Sequence, residues 1–169
     1  MSKRDLKKYL NELSKEQLEE QVLDLYARFK EVKTFYDFVF QPKEDKLLEE
    51  AKFKIAKEYF PVNSRKPKLR RSVAQKIIKH FIQLGVDVYV IADVMLFNIE
   101  IAQQYSAEKP IKQDTFYKSI LNSFSQSIEF IKSNGIVNEF QPRLEKIVKE
   151  CSKQNWVNYY AFEDALEER

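Results

Sequence analysis

Glycine is nearly missing from this chain of 169 residues, with Gly85 and Gly135 its only two. Average usage of about 7% would supply about a dozen. That scarcity excludes glycine-rich phosphate loops, collagen-like segments and turn-dense β-sandwiches. Cysteine and histidine are each reduced to one residue, Cys151 and His80. No disulfide framework can be built from them, and a structural zinc site needs about four such ligands. No metal and no cofactor are therefore expected. Long apolar runs are also lacking. The most apolar stretch, 86–102, is interrupted by Asp87, Asp93, Asn98 and Glu100, while a membrane span needs about 20 mostly apolar residues. The opening residues Ser2, Lys3, Arg4, Asp5 and Leu6 contain no signal-peptide core. The sequence thus predicts a soluble, cytoplasmic protein with no membrane partner.

What the chain does have is material for helices. Apolar residues make up 44% and charged residues 33%, with 29 Lys and Arg against 26 Asp and Glu. Length and composition suit a single domain over residues 1–169. Apolar positions recur at the 3.6-residue period almost throughout and strict alternation is nowhere seen. The expected fold is all-α: one bundle of seven or eight antiparallel helices, with a short α-solenoid of helix pairs as the alternative.

Ser2 is placed to cap a first helix, and Ser14 with Gln17 three residues on forms a capping-box pattern for a second. Leu18, Val22, Leu25, Phe29, Val32, Tyr36 and Val39 follow at alternating steps of four and three. They predict one long helix with a bundle-type seam. A third helix is expected from about Pro42 to Phe60. A connector follows over 62–67, and a fourth helix runs from about Lys68 to Leu84, closed by Gly85. The fifth, capped by Asp87, is apolar on most sides and so should be the central one. Asp114 is expected to cap a sixth, a seventh should start at about Asn138 or Pro142, and an eighth carries Phe162 and Leu166.

Catalytic patterns are not found. His80 has Ile77 and Gln83 three residues to either side, which excludes the Glu-x-x-His pairs of di-iron bundles. Beside Val73, Ile77, Phe81 and Leu84, it reads as a histidine at the core margin. Asp93, Glu100 and Gln104 share one face of the apolar fifth helix. Two acids there could share a proton or hold a metal. They could equally mark a solvent strip or pair with cations of a neighbour.

Charge is the strongest asymmetry. Residues 59–86, 28 in a row, contain no Asp or Glu but seven cations: Arg65, Lys66, Lys68, Arg70, Arg71, Lys76 and Lys79. Removing those seven from the net +3 leaves −4 for the rest of the chain. Arg71, Gln75 and Lys79, at i, i+4 and i+8 with Lys76 alongside, predict a basic stripe. Such a stripe suits phosphate oxygens. It serves equally well to meet acidic helices or to sit in water. Lys3, Arg4, Lys7 and Lys8 form a second basic group. Aromatic residues reach 14%. Phe35, Tyr36, Phe38 and Phe40 are too many for one narrow helix face, and Trp156 lies near Tyr159 and Tyr160. Any of these left exposed would mark a protein interface or a homodimer.

Four segments, 6–18, 36–46, 70–80 and 91–101, carry a resemblance that extends over nearly the whole chain. They run Leu6 to Leu18, Tyr36 to Lys46, Arg70 to His80 and Ile91 to Ile101. The chain resembles an uncharacterised bacterial family known only as a numbered domain of unknown function. The resemblance implies a single helical domain and no site residues. The functional expectation is a non-enzymatic interaction module, with an unidentified protein or a second copy as its partner. The alternative is a nucleic-acid-binding protein using the stripe from Arg65 to Lys79, and an enzyme built on Asp93 and Glu100 is third.

Overall fold

A computed structural model describes residues 2–62 and 65–167, and the described residues form nine helices and no strands. They divide into two compact units, Met1–Lys43 and Glu44–Arg169.

The first unit holds α1 (Lys3–Asn11), α2 (Lys15–Arg28) and α3 (Lys30–Phe40). Both predicted caps form. The Ser2 hydroxyl accepts from the Asp5 N–H, and the Ser14 hydroxyl from the Gln17 N–H, each answered by the return bond to the cap's own N–H. The expected single helix from Ser14 to Val39 is broken, however, at Phe29, which is extended (φ −116°, ψ 117°). This accounts for nine helices in place of seven or eight. No proline or glycine marks the break, so its cause is tertiary. Tyr26 and Asp37 would lie about 16 Å apart along a continuous helix. Folded back, the Tyr26 hydroxyl donates to Asp37 Oδ1 at 2.9 Å and the Tyr26 ring meets Tyr36, which also touches Phe35 and Phe40 of its own helix. On a straight helix the Tyr26 and Tyr36 rings, ten residues apart, would be separated by about 15 Å along the axis.

The second unit comprises α4 (Glu44–Tyr59), α5 (Arg71–Leu84), α6 (Val88–Glu108), α7 (Asp114–Ser133), α8 (Val137–Lys153) and α9 (Tyr159–Glu167). As the apolar circumference predicted, α6 is central, packing against α4, α5, α7 and α8. Ala92, Val94, Leu96, Ile99 and Ala102 are fully buried on it. Ala51, Ile55 and Tyr59 of α4 and Leu144, Ile147 and Cys151 of α8 enclose it from two sides, and Phe124 and Ile131 of α7 are equally buried. Trp156 is core rather than surface, with its ring edge-on to Phe116, Tyr117 and Phe162.

Gln103 and Gln154 are paired in this core, whereas the buried Asn158 Oδ1 has no hydrogen-bond partner among the described residues. Gln103 donates to the Ile147 carbonyl at 2.8 Å and to Cys151 Sγ at 3.2 Å. The Gln154 amide bonds Ser106, the Gln103 carbonyl, Glu150 and the Trp156 indole, tying α6 to the end of α8. Such pairing offsets the desolvation that an orphaned amide would suffer.

Helix ends depart from expectation in three places. α5 starts at Arg71 rather than Lys68, because residues 65–70 are non-helical, with Leu69 in a left-handed conformation (φ 52°). The N–H groups of Lys68 and Leu69 donate there to the Glu58 carbonyl. Asp114 is the first residue of α7 rather than its cap, which is Gln113 with no side-chain bond. α6 continues to Glu108, past Ser106, where the sequence predicts a connector running to Gln113. Gly85 and Gly135 close α5 and α7 with φ of 73° and 69°, as placed from sequence. Of the expected connector 62–67, residues 63 and 64 lie outside the described residues.

Candidate functional site

The two acids of α6 are part of an ion network with cations of α4 and α8. Arg143, on α8 one residue past Pro142, spans both. Its Nε and Nη2 donate to the two Glu100 carboxylate oxygens at 2.6 and 2.7 Å, and its Nη1 donates to Asp93 Oδ1 at 2.5 Å. Lys52 of α4 takes the other Asp93 oxygen at 2.6 Å. Burial alone would raise the Asp93 pKa. The Lys52 ammonium and the Arg143 guanidinium outweigh it and hold the carboxyl below the usual carboxylate range. A carboxylate held ionised between two cations is a poor proton shuttle, and the network's physical role is to clamp α4 and α8 onto α6. Gln104, which completed the face in sequence, is exposed and outside the network. Lys52 and Arg143 were not singled out from sequence. The signal was there in part, since two acids seven apart on an apolar helix require cations on its neighbours. Which neighbours supply them depends on the packing.

The remaining single reactive groups divide by burial. Cys151 is fully buried, and burial pushes its thiol up to about 12, so it is an inert core residue. His80, expected at the core margin, is exposed instead. On α5 it falls four residues after Lys76 and three before Gln83, which puts it on the polar side. Among the described residues no cluster of three or more His, Cys, Asp or Glu is arranged to hold a metal.

Of the seven cations of the expected stripe, Arg70 and Arg71 are engaged by protein groups. Arg70 is committed to Glu58, its Nε and Nη2 each 2.8 Å from one carboxylate oxygen. Arg71 turns toward α7, donating to the Ser119 carbonyl at 2.6 Å, and the Gln75 amide oxygen, oriented to satisfy both groups, accepts from it. Lys68 lies close enough to Glu58 to help hold that carboxyl below its ordinary range, after the dominant hydrogen bond from Arg70. Arg65, Lys66, Lys76 and Lys79 remain exposed. The outward face of α5 is accordingly Ser72, Lys76, Lys79, His80 and Gln83, without a carboxylate.

The exposed apolar surface is concentrated elsewhere. In the unit Met1–Lys43 none of the three helices has a buried residue. Leu23 is 67% exposed, Val39 50% and Phe40 78%, and Leu6, Tyr9, Val22, Leu25, Phe29 and Phe35 are each about two-fifths to half exposed. Tyr9, Leu13 and Leu25 line a groove of about 580 Å³ between α1 and α2, with Glu20 and Asp24 also on its wall. Leu18, Val22 and Leu23 make a second, shallower apolar hollow on α2. The seam read from sequence therefore exists but covers no core. The exposed aromatic patch expected near the end of the long helix is present at Phe35 and Phe40.

Comparison with known proteins adds one result, a match over residues 1–169 to the model of a family of unknown function, DUF6155. The chain belongs to DUF6155. No curated protein and no solved structure matches this DUF6155 chain. Its membership carries no activity or ligand, so functional inference rests on the geometry above. No helix among the described residues of this DUF6155 member is long and apolar enough to cross a membrane.

Proposed function

We propose that this protein is a non-enzymatic helical interaction module and that its N-terminal unit, α1 to α3, is the docking surface. One observation carries this reading. Three amphipathic helices, two of them capped by serine, bury no residue while leaving nine large apolar side chains exposed. Surface of that kind, concentrated in 43 residues, marks an interaction site on a soluble protein. The second unit, with a packed core and with Glu58, Asp93 and Glu100 ion-paired, supports the role of a rigid carrier.

Photo-crosslinking in the producing cell tests the reading. A benzoylphenylalanine at position 23 or 40 is expected to give discrete macromolecular adducts at several times the yield of the same probe at Lys118 or Glu129, exposed positions of the second unit. Equal yields from all four positions would defeat it.

The outward face of α5 supports a second reading, phosphate contact through Lys66, Lys76 and Lys79. A labelled nucleic acid should then bind with a steep salt dependence. The triple change to Glu should flatten it by about 0.9 log unit per lost contact. No binding at low salt would remove this reading. Arg71 is not part of that variant because it holds α7.

A further inference from the structure

Resting on the interaction reading, we propose that the partner of the N-terminal unit is a second copy of this chain. The arms would pair about a two-fold axis, with the basic α1 of each lying along the acidic α2 of the other. The first reason is charge. α1 carries Lys3, Arg4, Lys7 and Lys8, and its single acid, Asp5, is used in the Ser2 cap. None of these four cations has an ion-pair partner among the described residues. α2 carries Glu16, Glu19, Glu20 and Asp24, and among the described residues its only ion pairs are the local ones from Lys15 to Glu19 and from Arg28 to Asp24. Glu20 and Asp24 line the apolar groove of about 580 Å³, whose wall is therefore complementary to a cationic amphipathic helix. The chain itself supplies such a helix in α1. An isologous pairing satisfies both helices of both copies at once.

Area is the second reason. Nine side chains left on average half exposed present on the order of 900 Å² of mainly apolar surface per copy, against about 800 Å² per partner in a standard stable interface. Size supplies the third. A helical unit near the ~40-residue limit needs a disulfide, a metal or oligomerisation to hold its fold. This unit has neither cysteine nor histidine.

The experiment is sedimentation velocity on the full chain from 5 to 500 µM. The expected mass rises from 20.2 kDa toward twice that value. Two charge-reversed chains then test the pairing itself: one with Arg4→Glu and Lys7→Glu, the other with Glu20→Lys and Asp24→Lys. Each alone should self-associate at least tenfold more weakly, since like charges then face each other. Their equimolar mixture should recover affinity to within about threefold. Emission from Trp156, buried in the second unit, confirms that each variant remains folded there. A chain that stays monomeric at 500 µM overturns the proposal, as does a mixture no tighter than its components. Crosslinks from positions 23 and 40 to other proteins alone, with a monomeric chain, would leave the interaction reading intact and refute only self-association.

Discussion

Replacing Arg143 by alanine removes the clamp between α8 and α6. The structure shows what is lost: a two-pronged contact to Glu100 and a third short bond to Asp93, all between charged groups. Breaking a fully buried ion pair costs about 3–5 kcal/mol, because a charge is stranded without solvent. This site is not fully buried. Arg143 is 26% exposed, Asp93 22% and Glu100 33%, so water recovers part of the loss, and Lys52 still holds Asp93. The expected cost is about 2–3 kcal/mol at pH 7. Urea unfolding followed by Trp156 fluorescence measures it. With a slope near 2 kcal/mol/M the midpoint should fall by about 1–1.5 M. Arg143→Lys should lose roughly half as much, since it keeps the charge but not the planar fork. The pH dependence has a defined sign. The Asp93 carboxyl is depressed in the folded state, so its contribution is present above the unfolded carboxylate pKa. That contribution disappears as pH falls through the lower folded value. The gap between wild type and Arg143→Ala should hold from pH 7 to about 5 and shrink below about pH 4. A gap under about 0.5 kcal/mol at pH 7, or one unchanged at pH 3, would refute the clamp.

Three further outcomes follow from single positions. Gly135→Ala should cost about 1 kcal/mol in the same urea assay, although an added Cβ would touch nothing, because φ is 69° there. Asn155, at φ 52°, should accept Gly with a neutral or slightly stabilising effect, and Asn155→Val should lose about 1–2 kcal/mol. Cys151, with its thiol pushed up to about 12 by burial, should resist a thiol-reactive disulfide reagent in the native state at pH 7 and at pH 9 alike. It should label fully in urea, and rapid native labelling would contradict the packing of α8 against α6.

The helices were legible because their signals are local. Ser2 and Ser14 cap where the sequence placed them, Asp87 accepts from the Tyr89 N–H, and the two glycines end α5 and α7. α6 was recognisable as central because no other helix is apolar around so much of its circumference. Ala51 and Ile55, and likewise Leu144 and Cys151, keep the 3.6-residue spacing and are buried, so the inward faces of α4 and α8 were legible too. The break at Phe29 was not, because nothing within a few residues of it differs from an ordinary helix. Its driving contacts, Tyr26 with Tyr36 and Asp37, exist only once the chain has folded back.

The candidate surfaces divide in the same way. Periodicity established an all-helical chain, and the sequence placed a carboxylate-free run of seven cations at residues 65–79. Tertiary structure alone decided which of those charges remain available. Arg70 is drawn to Glu58 and Arg71 to the Ser119 carbonyl, through contacts 12 and 48 residues apart that no helical periodicity encodes. It also decided that Asp93 and Glu100 are held by Arg143. The apolar seam from Leu18 to Val39 likewise lies at the surface of a small unit instead of inside the core. Periodicity reports that a helix has an apolar side, which follows from side-chain spacing along one chain. What that side meets is set by the free energy of the whole packing, to which distant residues contribute.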